Sequence, residues 1–496
     1  MISKNKFRAL MTLSALTCAS LAFGADTGST ATLEQLQQQV NKLQAQVTAL
    51  KTQRSATTSK GQKTSAAAQQ SELTGFTDIY GHLRNFSNSV VIQPFTSKPT
   101  YYSGGQLVVN APGINEDEKL LYRRALNESQ QTTDEQGGSP VPRLVLSGDV
   151  EGKAFYTRPY HGPRTTDLNL TGAELDAFAE ISQWVNGFAT FEYDNSYNAA
   201  GTRRVSNSNV RLGKGFLTLG NLTKSPVFGS LGQMNVPFGR YSSFMISDPL
   251  TQTLAKTKAR ALSLSYIAWN PAANIITPYA HVFGFKGDAK YGNSNMVNQY
   301  GGDLGFWLGN DTWNVDSGVS YMADMADATG MQETGRTDVA FQGFDQAGSN
   351  EKMIRGVPAF DWHNTFTYDQ YNVVMEYVTA MRAFSPLNAT YNGRGAKPSA
   401  VDLEGAYNFK LFTLPTYFAV GVQGSKDALV FNVPRVRYIA ALSSTVLTNT
   451  ILTLEYRHDV NYGSHDTATG AGAIAYNTAE LGKSDNAAIA KIGVYF

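Results

Sequence analysis

From Val141 to the last residue, apolar and polar side chains alternate at period two in one segment after another, and this limits the chain to very few architectures. Leu144, Leu146, Val150 and Ala154 share one parity, while Ser147, Asp149, Glu151 and Lys153 share the other. Leu175, Ala177, Ala179 and Ile181 alternate with Glu174, Asp176 and Glu180, and near the end Leu452, Leu454 and Tyr456 oppose Glu455 and Arg457. Successive side chains of a strand point to opposite faces, so each segment has one face suited to hydrocarbon and one suited to water. About sixteen such segments occur, each near the ~10 residues of a tilted membrane-crossing strand. They start near Leu144, Thr171, Trp184, Ser208, Val227, Arg260, Ile275, Asn298, Thr312, Ala359, Tyr371, Ala400, Thr416, Arg435, Thr450 and Asn486.

The connections are an independent sign. Tight links at Gln183, Thr223 to Pro226, Asn270 to Asn274, Gly309 to Asp311, Asp369-Gln370, Leu411 to Pro415 and Val446 to Asn449 alternate with longer ones. The longer ones run from Arg158 to Asp167, Asn195 to Asn207, Pro237 to Ala259, Lys286 to Val297, Ala323 to Pro358, Arg382 to Ser399, Gly424 to Pro434 and Asn461 to Asp485. Short turns at one end and long loops at the other are the topology of bacterial outer-membrane barrels. The expected fold is therefore all-β and transmembrane: an antiparallel outer-membrane barrel of about sixteen strands over 141–496. The long loops are expected outside the cell, and Ala323 to Pro358, the longest, is the candidate lid.

Ahead of the barrel, Lys4, Lys6 and Arg8 precede an apolar run and small residues at Ala22 to Ala25, which reads as a signal peptide over 1–25. Cys18, the one cysteine, falls within it. Leu33, Val40 and Val47 at a and Leu36, Leu43 and Leu50 at d predict a coiled-coil helix over 30–52, and with it a homo-oligomer. A flexible linker over 53–72 and a mixed segment over 73–140, periplasmic or lumenal, complete the order. The 41 Lys+Arg nearly balance 40 Asp+Glu, which gives nucleic acid no bulk attraction.

With the apolar parity against lipid, Asp149, Glu151, Glu174, Asp176 and Glu180 of the early strands point inward, as do Arg435, Arg437, Arg457 and Lys491 of the late ones. Because a barrel closes, Lys491 should lie beside Lys153 and Glu151. Two readings stay open: an acidic wall facing a basic one, which would orient polar solutes, or charges that pair across strands and fill the lumen. Arg158, Arg164, Arg203, Arg204, Arg240 and Arg355 are expected on the outer loops, where they would meet anionic solutes or lipopolysaccharide. His281 and His363 should face the lumen as isolated residues, and His458 the lipid. With 6 His in the chain, no catalytic, cofactor or metal site is expected and the protein does not read as an enzyme. Asn115-Glu116-Asp117-Glu118 reads as the acidic start of a helix.

Two stretches resemble one family of outer-membrane proteins, that of the receptor for the siderophore legiobactin. One runs from Phe216 to Gly239 and on through Arg240-Tyr241-Ser242-Ser243, and the other from Gln106 to Leu121. The resemblance implies a barrel of about sixteen strands, no N-terminal plug domain, and uptake of a small polar solute such as a ferric siderophore. The Gln233-to-Gly239 element is also similar to a segment of phosphate-selective porins, which implies a general or anion-selective porin instead. A third class is a structural or adhesive envelope protein tethered by its coiled coil.

Overall fold

The computed structural model describes residues 90–92, 102–103, 106–107, 113–134, 142–159, 163–194, 209–268, 276–289, 296–310, 312–333, 344, 353–470 and 481–496. The expected signal peptide, coiled coil and linker, with Arg203 and Arg204, lie outside the described residues.

The main sheet has the strands β1 (Arg143–Arg158), β2 (Thr165–Glu180), β3 (Val185–Asp194), β4 (Asn209–Leu219), β5 (Val227–Asn235), β6 (Lys258–Ile267), β7 (Thr277–Phe285) and β8 (Gln299–Gly309). It continues with β9 (Trp313–Met322), β10 (Ala359–Tyr368), β11 (Tyr371–Ala380), β12 (Ser399–Leu411), β13 (Leu414–Lys426), β14 (Val436–Leu447), β15 (Thr450–Val460) and β16 (Ser484–Tyr495). Each strand pairs antiparallel with the next, and β16 returns to β1 from Asn486↔Arg158 to Tyr495↔Asp149. The result is a closed sixteen-strand antiparallel barrel, in which every strand's ladder is completed by a neighbour. The short strand Val90–Ile92 adds a parallel pairing to Leu144–Leu146, on the stretch of β1 that lies beyond the end of β16. No helix among the described residues is long and apolar enough to cross a membrane.

Fifteen of the strands begin within two residues of their expected starts, and β2 begins earlier, at Thr165 rather than near Thr171. The reason is a bulge. Glu151 pairs with Gly172 and Gly152 with Leu170, so Thr171 is skipped. An extra residue reverses the parity: Glu174 and Asp176 point inward on one side of the bulge, while Leu168 and Leu170 point outward on the other. A search for unbroken alternation stops there.

Burial is inverted relative to a water-soluble fold. Asp176, Asp361 and Asp402 are 0% exposed, whereas outward-facing Leu168 is 78% exposed. Leu262, Leu264, Val282, Leu304, Val420 and Ile492 are likewise exposed on the outer surface. Exposed aromatics mark its two edges: Trp184, Tyr266, Tyr368, Tyr371 and Tyr407 near the short-turn end, and Tyr300, Tyr321, Tyr377, Tyr438 and Tyr456 near the long-loop end. An apolar belt between two aromatic girdles is what a barrel in hydrocarbon requires. His458 is on this outer face, with its ring stacked on Tyr438.

Candidate functional site: a lumen crossed by two segments

The first segment is helix α1 (Glu116–Asp134). Asn115, with φ 52, turns the chain into it, and Glu116, Asp117 and Glu118 put negative charge at its positive end. Its buried side chains are held by the inner wall. Lys214 of β4 donates to both oxygens of Glu116, at 3.1 and 2.8 Å. His281 of β7 bonds Ser265 through Nδ1 at 2.8 Å and turns Nε2 towards Glu118, at 3.2 Å, and Asn115, at 3.3 Å. At the short-turn end Arg124 donates to the Ser182 carbonyl at 2.9 Å and to Asn186 Oδ1 at 2.7 Å. Leu121 and Ala125 pack with Phe228, Ile267 and Tyr279. Part of the 73–140 segment thus lies against the inner wall of the barrel.

The second is the connection between β5 and β6, residues 236–257, expected as an outer loop. It turns back into the lumen instead. Gly239 makes the turn at φ 73, where a Cβ would overlap the Tyr241 ring. Beyond it the wall carboxylates receive the loop's backbone N–H groups in succession. Glu376 of β11 accepts from Arg240 N at 2.7 Å and Tyr241 N at 2.9 Å, and from the Thr251 hydroxyl at 3.2 Å. Glu404 of β12 accepts from Phe244 N at 2.8 Å and the Ser243 hydroxyl at 2.7 Å. Glu455 of β15 accepts from Ile246 N at 2.5 Å, Ser247 N at 3.0 Å and the Ser247 hydroxyl at 2.6 Å. Tyr417 donates to the Phe244 carbonyl at 2.6 Å, and Arg437 to that of Asp248 at 3.0 Å. Helix α2 (Leu250–Ala255) then carries the chain back to β6.

Arg240 is therefore a lumen residue, not an outer-loop one. Its guanidinium bonds Asp303 of β8 at 2.8 Å, approaches Asp316 of β9 at 3.6 Å, and lies 4.9 Å from the centre of the Tyr279 ring. The physical reason is the loop's composition. Phe238, Phe244, Met245, Leu250 and Leu254 are buried, and an apolar loop has more to gain inside than in water.

Of the expected lumen charges, Asp149, Glu151, Glu174, Asp176 and Glu180 are all buried on the inner face. Lys491 is beside Lys153 in the register and donates to Glu151 at 3.0 Å, and Tyr495 donates to the same oxygen at 2.8 Å. Arg143 clasps Glu180 at 2.5 and 2.8 Å. Arg437 and Arg457 both bond Asp459, at 2.8 and 3.1 Å, and Arg457 also bonds Ser247 at 3.0 Å. Arg435 departs from expectation: it comes just before β14 and is exposed at the long-loop rim. Arg158, Arg164 and Arg355 are exposed there too, Arg355 bonding the Ala383 carbonyl at 2.8 Å.

An acidic wall facing a basic one is not what these residues form. The arginines of the late strands share their surface with Glu455 and Asp459, and the middle strands add Asp303, Asp361, Glu376, Asp402 and Glu404, all buried. These middle-strand acids were missed from sequence. Their signal was present, as inward-parity carboxylates on strands whose one inward Lys or Arg is Lys410, at the short-turn end of β12.

Comparison with known proteins places the chain. A protein of Legionella pneumophila (strain Lens), described as a UPF0422 protein, is 36% identical over 417 residues, 82% of this chain and 76% of the relative. The chain belongs to the UPF0422 family. A UPF0422 protein of Coxiella burnetii is 32% identical over 413 residues, 83% of this chain and 84% of its own length. No protein-family model matches this UPF0422 chain. Among solved structures, it superposes on the outer membrane channel DcaP of Acinetobacter baumannii with a TM-score of 0.43 and 14% identity, over 71% of this chain and 97% of that one. The loop L8 deletion mutant of OmpT, an outer membrane protein of Vibrio cholerae, gives 0.43 and 11% identity, over 72% and 100%.

Proposed function

We propose that this UPF0422 protein is an outer-membrane pore that admits a small polar solute through a lumen restricted by the inner loop and α1. The observation that carries this is the inner loop: a barrel with an apolar exterior turns one of its own connections inward and ties it to three wall carboxylates. Such a crossing narrows a passage and places polar groups along it. Buried inward carboxylates outnumber inward lysines and arginines on the described strands, which favours cationic or neutral solutes over anions. A ferric siderophore is the first solute to test, on the resemblance to the legiobactin-receptor family. The rim arginines Arg158, Arg164 and Arg355 are exposed where lipopolysaccharide phosphates would meet them, and we propose from the sequence pattern alone that the heptads from Leu33 to Leu50 join copies in the periplasm.

Planar-bilayer recording of the full chain tests the pore. Small, flickering conductance with a cation-selective reversal potential under a salt gradient is expected. Silence at every voltage would leave an envelope tether as the function. Iron uptake from chelated iron, with and without the protein, tests the siderophore clause. No difference alongside normal conductance removes that clause and leaves the pore.

A further inference from the structure

We infer that the inner wall beneath the Arg240 turn holds a divalent transition-metal ion on Asp361, His363 and Glu376. Asp361 and His363 are on β10 and Glu376 is directly across from His363 on β11. Each of the three brings one donor atom to within 4.8 Å of the other two, and all three are buried. The mixed set of one imidazole and two carboxylates suits zinc and its divalent neighbours rather than calcium or magnesium.

Three observations point to a bound cation. The first is charge. Asp303, Asp316, Asp361 and Glu376 lie together, and among the described residues Arg240 supplies the one guanidinium bonded to any of the four. Asp402, opposite Glu376 on β12, adds a further buried carboxylate. Unneutralised acids at this depth are very costly. The second is the setting of Asp361: it is 0% exposed, no protein N–H or O–H donates to its Oδ2, and the side chain it lies against is another carboxyl, that of Glu376. A polar atom so deeply buried requires an explanation, and an ion is one.

The third is the tautomer of His363. The Tyr279 hydroxyl donates its single proton to Asp316 Oδ1, at 2.9 Å. The Tyr279 oxygen is 3.2 Å from His363 Nε2, so with the tyrosine proton on Asp316 it is Nε2 that carries the ring proton and donates. In a neutral ring Nδ1 is then a bare lone pair, 2.8 Å from Asp361 Oδ1. Two lone pairs at that distance need a positive charge between them, and a metal ion or a proton on Asp361 supplies it. Donor atoms bound to one tetrahedral metal at about 2.1 Å are separated by about 3.4 Å, so Asp361 and His363 stand near ligand spacing, and all three donor atoms lie within 4.8 Å of one another. Glu376 also accepts from Arg240 N and Tyr241 N, so the ion would brace the same carboxylate that pins the inner loop.

The test uses full-length protein folded in detergent, stripped with a chelator and titrated with Zn2+, then with Co2+ as a spectroscopic probe. One equivalent should bind, and Co2+ should develop visible bands. His363→Ala should abolish the bands, and the near-isosteric Asp361→Asn should weaken Zn2+ binding by about a hundredfold or more. Heat-dependent gel mobility reports whether each variant is folded, and Asp361→Asn serves if His363→Ala is not. Asp149→Asn, remote in the lumen, should bind as wild type does. Failure of the stripped protein to take up Zn2+, or equal uptake by both cluster variants, overturns the site and leaves a proton bridging Asp361 and His363.

Discussion

The two segments that enter the lumen are held by opposite means. Helix α1 satisfies its own backbone through its i→i−4 bonds, and its side chains alone reach the wall: Glu116 to Lys214, Glu118 to His281, Arg124 to Asn186. The inner loop makes little of its own hydrogen bonding between Arg240 and Ser247, and its N–H groups end on Glu376, Glu404 and Glu455. Withdrawing α1 breaks a few side-chain pairs and leaves a helix. Withdrawing the loop strands N–H groups and buried carboxylates together, each costing about 1–3 kcal/mol or more. The loop is therefore the more firmly tied of the two, and α1 the one whose withdrawal is expected to cost less.

The sharpest way to break this distinction is Lys214→Met. It leaves Glu116 as an unpaired buried anion, at a cost of about 3–5 kcal/mol. If α1 is separable, that cost is relieved by the helix leaving the wall. Amide exchange over residues 117–125 should rise by orders of magnitude and conductance should increase, with heat-dependent gel mobility unchanged. The double variant Glu116→Gln with Lys214→Met should restore much of the protection. Loss of the whole barrel while α1 amides stay protected would show that the helix is part of the folded core.

Glu455→Ala addresses the loop and should act less strongly. Three donors, Ile246 N, Ser247 N and the Ser247 hydroxyl, lose one acceptor. Glu404 and Glu376 remain, so the loop should loosen locally over 243–248, with a destabilisation of about 1–3 kcal/mol and no change in α1 exchange. Glu455→Gln keeps an acceptor oxygen and should lie between. Equal loosening of α1 and the loop in Glu455→Ala would mean that the two segments are one cooperative unit.

The barrel was legible because its rule is local. Alternation can be read residue by residue, and only the bulge at Thr171 hid part of a strand. The lumen was not, because its contacts join distant parts of the chain: Arg240 meets Asp303 and Asp316, and its N–H meets Glu376. No periodicity marks a loop that turns inward. Two composition signals did exist. Residues 236–257 are rich in Phe, Met and Leu for an outer loop, and Asp303, Asp361 and Glu376 have inward parity without an inward Lys or Arg on their own strands. Acids without cations on one wall and an apolar loop without a core predict each other. The rows from His363 to Glu376 and on to Asp402 required the register, which alternation alone leaves open.

The smallest effect concerns the outer attachment of the inner loop, and it separates the two segments by pH. Where the loop rejoins β6, Thr329 N donates to the Lys256 carbonyl at 2.9 Å and Lys258 N to the Thr329 hydroxyl at 3.2 Å. Just before Thr329, in the long connection after β9, Asp327 accepts from Ala289 N at 2.7 Å. Burial pushes the Asp327 carboxyl from 3.8 up to about 8, against the pull of that N–H. A raised carboxyl binds its proton more tightly in the folded state, so its contribution is fully present below about pH 4 and is lost as pH rises through 8. Raising pH from 6 to 9 should therefore loosen residues 286–289 and 323–333 and, through Thr329, the loop's exit. Among the described residues, helix α1 has no bond to this attachment. Amide exchange corrected for its intrinsic pH dependence should accelerate a few-fold at 256–258 and not at 117–125. Asp327→Asn, uncharged throughout, should flatten the response. A wild-type profile already flat between pH 6 and 9, or one in which α1 follows the loop, would remove the pH difference between the two segments.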